Sequence, residues 1–466
     1  MAASVAQFGC SNKPQRQLDR FAVLSQLDRE EVDRICRQKG HHFRDVKLPP
    51  GKTVRCFGWQ ILMGNVTCDA VVHRSGGAFT ASAYCQARQR LPLEVLQEVS
   101  DRIVRQAIAM FCRRRAGGKE HLWCGHRTFL MDGSGATLAD TEEVRTYFGI
   151  SGNCKPGCSY PTAHLLLMVG AGGVGIDCFC SPLRTGDMTH ASRMHMHLRA
   201  GDVLIGDRQF SGVAHLHSLG TQRLHGVFPL HHSRKIAWGK HGNHGINGRR
   251  FVKTLGWRDQ LVEYRKPSVR PKWMSKQAFD AMPPWTLVRE VQRKVKVGGG
   301  SGGGGGGARR TVTLVTTLID PKKYPARALV KLLGERWSIE LHLRSLKSTM
   351  GGEQLHCQTV DGVKKELLMH LIVYNLVRLL MGQAAKKQKV PVDRISFADA
   401  LMRLRYGTIE SDDDDNVWVD LKINPLRSGR IEPRVLKRRP KSFAWMSKPR
   451  AQLRRQLLQQ RRKLAA

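Results

Sequence analysis

At 466 residues with 41% hydrophobic content, the chain can bury a sizeable core and form about two to four domains, which excludes a disordered tail and a small stapled module. Lys and Arg number 77 against 38 Asp and Glu, a net charge of +39 with a pI near 10.4. Such a protein seeks a polyanion, and nucleic acid leads because cationic side chains release counterions from a phosphate backbone. An anionic membrane is the competitor, but no apolar run is expected to reach the ~18 residues of a spanning helix. The opening MAASVAQFGCSNKPQRQLDRF holds no continuous apolar core for a signal peptide, so a soluble, cytoplasmic protein with no membrane partner is expected.

Residues 1–118 read as helical. Leu93, Leu96, Val99, Ile103, Ala107 and Phe111 recur at three- and four-residue steps, an amphipathic face that must pack on something. Just before it, FTASAYCQARQRLP sets a polar, basic helix between Thr80, a cap candidate, and Pro92; its outer face suits either solvent or DNA. From Arg127 the period becomes that of strands. RTFLMDGSG reads as a short apolar strand ending at Asp-Gly, with AHLLLMVGAGG and VGIDCFCSPL as two more across a glycine turn. Helix-like MTHASRMHMHLRAG, the strand DVLIGD, helix-like FSGVAHLHSLG and the strand GVFPLHH follow. A hairpin meander followed by alternating helices and strands predicts a mixed α/β sheet over 119–235, with ligands at the strand ends. Cys154, Cys158 and His164, with Cys178 and Cys180 beyond, have zinc-ligand chemistry. Their CxxxC lies in a Gly/Pro loop and their CxC in an apolar strand, so ordinary thiols are expected.

Residues 236–315 read as a β-rich insertion, carrying WRDQLVEYRKPSVRPKW and the strand-like pair TLVREVQRKVKV and RRTVTLVTTLID. The glycine run between that pair lacks the Gly-Lys-Ser/Thr ending of a phosphate loop and predicts a floppy hairpin tip. Over 316–385, PARALVKLLGERWSIELHLRSLKSTM predicts one strong helix from near Pro325, and KKELLMHLIVYNLVRLLMGQAAKK a buried apolar one. Residues 386–466 turn charged: Asp412 to Asp415 precede the basic PRVLKRRPKSF and LRRQLLQQRRKL, a tail expected to meet DNA phosphates.

Three acids stand where a core would prefer none: Asp132 after the first strand, Asp207 ending DVLIGD, and Glu340 in the late helix. Gathered carboxylates repel unless a cation lies between them, and hard oxygen ligands select Mg²⁺ or Mn²⁺. Two such ions activate a water and stabilise a leaving oxygen during phosphodiester displacement. Singly, Asp132 reads as a turn residue and Asp207 as a helix cap. In an ideal helix Arg336, Glu340 and Lys347 fall within roughly 40° of one another. One face would then carry a metal ligand between two phosphate-gripping cations; an ordinary salt-bridged surface is the alternative. Trp337 suits a base stack or a core position equally.

LGERWSIELHLRSLK, with Arg336, Glu340 and Lys347, resembles the Tyr-x2-Arg-x3-Glu-x6-Lys signature of the insertion-sequence-4 family of cut-and-paste DDE transposases. DGS around Asp132 and GDRQF around Asp207 are similar to the contexts of that family's first two acids, and PGCSYP, TLVTTLID and SAYCQARQRLP to further segments, so the resemblance runs over residues 40–385. It implies an α/β fold: an RNase H-like catalytic core, a β-rich insertion between the second acid and the glutamate, a helical N-terminal domain that binds the element's ends, and a basic C-terminal tail. It further implies that Asp132, Asp207 and Glu340 are catalytic and hold two Mg²⁺ or Mn²⁺ ions, while Arg336, Lys347 and Trp337 contact DNA. Hydrolysis and strand transfer at transposon ends, target DNA as second substrate, a homodimer in the DNA-bound complex and a nucleoid location follow from the same resemblance, with a hairpin intermediate in several members. The signature tyrosine falls at Leu333, which makes no hydrogen bond to phosphate. A nuclease of the same fold without strand transfer and an inactive DNA-binding repressor are the rival readings.

Overall fold

The computed structural model describes residues 27–44, 47–112, 122–150, 159–231, 233–234, 236–242, 248–296, 309–406, 421–425, 448 and 450–465. The Cys154/Cys158 pair, the glycine run, the acidic tetrad and most of the basic tail lie outside these described residues.

Five helices lead in: α1 (Arg29–Gln38), α2 (Pro50–Leu62), α3 (Cys68–Arg74), α4 (Ala81–Arg90) and α5 (Leu93–Cys112). Asp28, Thr67 and Thr80 each accept a hydrogen bond from an amide of the turn that follows, satisfying donors that a first helical turn leaves unpaired. In α5 the predicted stripe is buried at Leu96, Val99, Ile103 and Ala107 and partly buried at Leu93 and Phe111. It packs against the long helix α11 described below.

The strands are β1 (Thr128–Leu138), β2 (Thr162–Val169), β3 (Gly175–Pro182), β4 (Val203–Ile205), β5 (His225–Pro229), β6 (Arg249–Gly256), β7 (Asp259–Arg265), β8 (Trp285–Lys296), β9 (Arg309–Thr316) and β10 (Gln354–Leu355). They form one ten-stranded sheet in the order β3-β2-β1-β4-β5-β9-β8-β7-β6, with β10 against β1. The first three make an antiparallel meander, while β4 and β5 run parallel to β1. Three helices fall between these strands: α6 (Glu142–Phe148), α7 (Asp187–Met194) and α8 (Val213–Thr221). The short β4 is apolar at every position and fully buried, as a parallel strand covered on both faces requires. The segment β6–β9 is antiparallel and continues the same sheet, because β9 pairs with β5 through Val227 opposite Thr316.

Beyond the sheet come α9 (Ala326–Glu335), α10 (Trp337–Arg344), a π-helical turn at Ser345–Thr349, α11 (Val360–Lys387), α12 (Phe397–Tyr406) and α13 (Arg450–Ala465). By length and composition α11 could cross a membrane, contrary to the expectation that no segment reaches that length. However, 89% of its apolar window is buried inside the protein. One hydrophobic cluster joins residues of the N-terminal helices, the sheet, α11 and α12.

Two sequence expectations are corrected here. β1 does not stop at Asp-Gly but continues to Leu138, because β2 pairs with it as far as Thr137 opposite Thr162. The single helix expected from Pro325 is broken at Arg336, where the backbone tightens: Arg336 N–H donates to Leu333 O and Ile339 N–H to Arg336 O, each at 3.2 Å. The break has a packing cause. Leu329, Leu332 and Leu333 of α9 are committed to one buried cluster with Val203, Ile205 and Val227, whereas Ile339, Leu343 and Leu346 join the larger cluster, and a straight helix cannot bury both faces at once.

The β6–β9 segment has a charged interior. Arg289, fully buried, grips Asp259 with Nε and Nη2 at 2.8 and 2.7 Å and donates to Tyr324 O at 2.8 Å. Beside it, Glu290 accepts from Tyr264, Gln260 and Arg249. Removing one member of such a pair strands a charge in low dielectric. Arg289→Leu should therefore lower unfolding stability by about 3–5 kcal/mol in urea titration, and a loss under ~1 kcal/mol, typical of an exposed pair, would disprove this role.

Candidate active site

The backbone register brings two of the three acids together. Leu130 on β1 lies opposite Ile205 on the parallel β4, where the pairing ends, and two residues further along each chain Asp132 and Asp207 are near enough for the charge of Asp207 to raise the Asp132 carboxyl. The same edge of β1 pairs with β4 over 128–130 and with β10 over 137–138. Between those contacts the edge faces α10 and the turn after it, since α10 packs on β1. Asp132 and Ser134, two apart, share one face of the pleat. Asp207 does cap a short 3-10 turn, Arg208–Ser211, accepting from Gln209 N–H at 2.8 Å, and this fixes the carboxylate's position.

The third acid is aimed by what α10 buries. Ile339 and Leu343 are its core face, and His342, on the same helix, meets Tyr374 of α11 at 2.9 Å. Tyr374 in turn donates to Gly173 O at 2.8 Å. With that side pinned, Glu340 is left partly exposed, and Arg336 Nη2 lies 3.8 Å from Glu340 Oε1. Lys347, in the π-helical turn, reaches β1 and donates to Ser134 Oγ at 2.8 Å. Trp337 is 58% exposed, a surface ring and not a core one. Leu333 is different: at 7% exposure it belongs to the core under α9, where a tyrosine could not reach a phosphate without leaving that cluster.

Burial pushes the Asp132 carboxyl up to about 6; the Arg336 guanidinium and the Gly133 amide oppose this, while the charges of Asp207 and Glu340 add to it. Asp207 is raised by burial, partly offset by the Gln209 amide, and is pushed further by Asp187. Arg336 is the cation that both aspartates feel. Among the described residues no three carboxylate, imidazole or thiol groups stand close enough to hold one ion. The donor chemistry itself suits a hard divalent cation, because the carboxylates are oxygen ligands and the charges of Asp207 and Glu340 already disfavour ionisation of Asp132.

The Transposase DDE domain family matches residues 123–376, a span that contains all three acids. The chain belongs to the DDE transposase family. Enzymes of this family cleave and join DNA and generally use divalent metal ions. This transposase is also similar to transposase InsG for insertion sequence element IS4 of Escherichia coli (strain K12), with 25% identity over 451 residues that cover 89% of this chain and 91% of that protein. A solved structure with some likeness is the piggyBac transposase synaptic complex with hairpin DNA, at 9% identity and a TM-score of 0.42, covering 84% of this chain and 79% of that one.

Sequence reasoning missed a fourth acid. Asp187 opens α7 and pairs with His164 Nε2 at 2.6 Å. It lies so close to β1 that a β-carbon added at Gly133 would sit 2.7 Å from its Oδ1. Asp-Gly-Ser is thus three separate requirements: a carboxylate towards Asp207, no side chain against Asp187, and a hydroxyl for Lys347. The signal was available in GDMTHAS, where an acid opens a helix-like run, but nothing in the sequence links it to Gly133. The other zinc candidates, Cys178 and Cys180 on β3, are thiols that burial keeps protonated.

Two expectations follow for the transposase. Asp132 ordinarily titrates near 4 and here near 6, so the folded state holds its proton more tightly, and stability is greatest below ~4 and falls as pH rises through ~6. In metal-free buffer Asp132→Asn should accordingly melt at a higher temperature than the parent at pH 7, with the difference closing by pH 4; equal melting at pH 7 would rule out a carboxyl raised by burial. Leu333→Tyr should overpack the core under α9 and cost about 1–3 kcal/mol in chemical unfolding without speeding cleavage, whereas a faster variant of unchanged stability would return this position to the DNA face.

Proposed function

We propose that this transposase is a cut-and-paste enzyme that hydrolyses phosphodiesters at transposon ends and transfers the freed strand to target DNA. The observation that carries the proposal is the β1/β4 edge, where Asp132 and Asp207 each follow the last paired residues by two positions and Glu340 comes in from α10 beside Arg336. The meander followed by two parallel strands, in the order β3-β2-β1-β4-β5, supports reading the core as RNase H-like, with β6–β9 as its insertion and α1–α5 as the part that holds the element's ends. The basic tail would add phosphate contacts.

In this reading Asp132, Asp207 and Glu340 hold two divalent ions, Mg²⁺ or Mn²⁺, which when bound supply water activation and charge neutralisation at the scissile phosphate. The chain's own residues do the rest. Arg336, at the helix break between α9 and α10, offers a planar fork to two phosphate oxygens. Lys347 adds a point charge from the far side of Asp132. Trp337, exposed beside Arg336, offers a ring on which an unpaired base can stack. Joining two element ends requires two such sites held together, so a homodimer forms on DNA, and the enzyme works at the nucleoid.

Asp132→Asn, Asp207→Asn and Glu340→Gln should each reduce cleavage of a labelled element end in Mn²⁺ to background while leaving gel-shift affinity within ~3-fold, because ligation and not phosphate contact is lost. Wild-type cleavage with joined product supports transposition. Cleavage without joining identifies a nuclease, binding without cleavage identifies a repressor, and near-normal cleavage by any of the three variants removes that residue from the site.

A further inference from the structure

Lys347 projects from a turn, not from a regular helix, and its amine is steadied from another element. The π-helical turn closes with Met350 N–H on Ser345 O at 3.0 Å and is followed by Glu353 N–H on Lys347 O at 3.1 Å, a geometry that re-aims side chains at functional sites. It sends the lysine stem across the open edge of β1, where Nζ donates to Ser134 Oγ at 2.8 Å. Ser134 is itself fixed by the sheet, paired with Leu165 of β2. It stands two residues from Asp132 on the same pleat face, about 7 Å along the strand. We propose that Ser134 is a positioning residue that holds the Lys347 ammonium beside the catalytic edge, poised for a DNA phosphate oxygen. This deepens the transposase reading above and rests on it.

The choice of partner matters chemically. A free lysine side chain samples many rotamers, and ordering it at the moment of DNA binding would weaken the contact. A carboxylate at position 134 would order it too, but would neutralise the charge meant for phosphate and add a fourth like charge near Asp132. A hydroxyl accepts one hydrogen bond and leaves the ammonium its full charge. Glycine at 133 and 135 leaves the opposite face of this strand without side chains, and the β2 ladder holds the backbone, so the serine oxygen is presented rigidly.

Two measurements on the full-length protein test this. The first needs no DNA: with an acetylating ester, labelling of Lys347 read by peptide mass spectrometry should rise on the order of 10-fold in Ser134→Ala, the effect of one hydrogen bond to a charged group. In Ser134→Thr, which keeps the oxygen, it should stay within ~2-fold of wild type. The second is single-turnover cleavage of an element end in Mn²⁺. Ser134→Ala should be slower by on the order of 10-fold and Ser134→Thr restored, yet Ser134→Ala placed on Lys347→Ala should add no further loss, since the two act as a unit. Unchanged labelling in Ser134→Ala overturns the proposal, and so does an undiminished loss on the Lys347→Ala background, which would mark Ser134 as merely structural. An inactive wild-type protein, or an active Asp132→Asn, would defeat the transposase reading while the labelling result still decides the role of Ser134.

Discussion

Burial of the Asp132 and Asp207 carboxylates at one edge of the sheet, with Glu340 adding to the charge felt by Asp132, is the constraint on which the rest depends. Left alone, three carboxylates would move apart into water; here each is held by structure that does not involve the others. β1 is pinned on one side by β2 along its length, Asp207 is tethered to its own 3-10 turn, and α10 is fixed by its buried face and the His342–Tyr374–Gly173 chain. The sheet and helices act as a clamp that stores electrostatic free energy. Arg336, near all three, relieves part of it. A divalent cation would relieve more of it, so an arrangement that burial disfavours in the metal-free protein is the one suited to binding the ion.

The clamp explains the course of the chain around it. α11 is the longest helix and almost wholly buried; it takes α5 on one side and β3 on another, so the N-terminal helices and the sheet are parts of one core. Tyr374, Asn375 and Arg378 of α11 satisfy backbone groups of the turn between β2 and β3: Asn375 exchanges hydrogen bonds with Gly175 at 2.8 Å each way, and Arg378 Nε donates to Gly172 O at 2.9 Å. Buried polar groups on an apolar helix are costly unless paired. Each of these is paired to the meander that carries Asp132, which couples the stability of the core to the rigidity of the site.

Local signals in the sequence were legible where the physics is local. The Thr80 cap, the apolar stripe of α5 and the buried character of α11 depend on neighbours within a turn or two. Asp207 was readable as a strand-end acid because an apolar run leads up to it, whereas Asp132, read in the same way, lies inside β1. What failed was non-local. Gly133, Ser134 and Gly135 look like a turn, and only pairing with β2 makes them strand; Gly133 and Ser134 answer to Asp187 and Lys347, far away in the chain. The break at Arg336 was invisible to helical periodicity because both halves are good amphipathic helices, and the conflict arises only from the two clusters they bury. That β6–β9 extends the central sheet follows from β9 lying against β5, a pairing set by the whole topology and by no single residue.

The break at Arg336 also changes how the signature residues act. In one straight helix Arg336, Glu340 and Lys347 would be a rigid row, and their spacing would alone determine their geometry. In this protein Arg336 sits where two differently anchored helices meet, Glu340 on the second helix, and Lys347 in a π-helical turn tied to β1. Three residues close in sequence are thus referenced to three separate supports: the cluster under α9, the core beneath α10, and the strand bearing Asp132. A shift of α9 against α10 would move Arg336 relative to Glu340 while leaving Lys347 with Asp132. The guanidinium that balances both aspartates is therefore the member of the site most sensitive to how the two hydrophobic clusters pack.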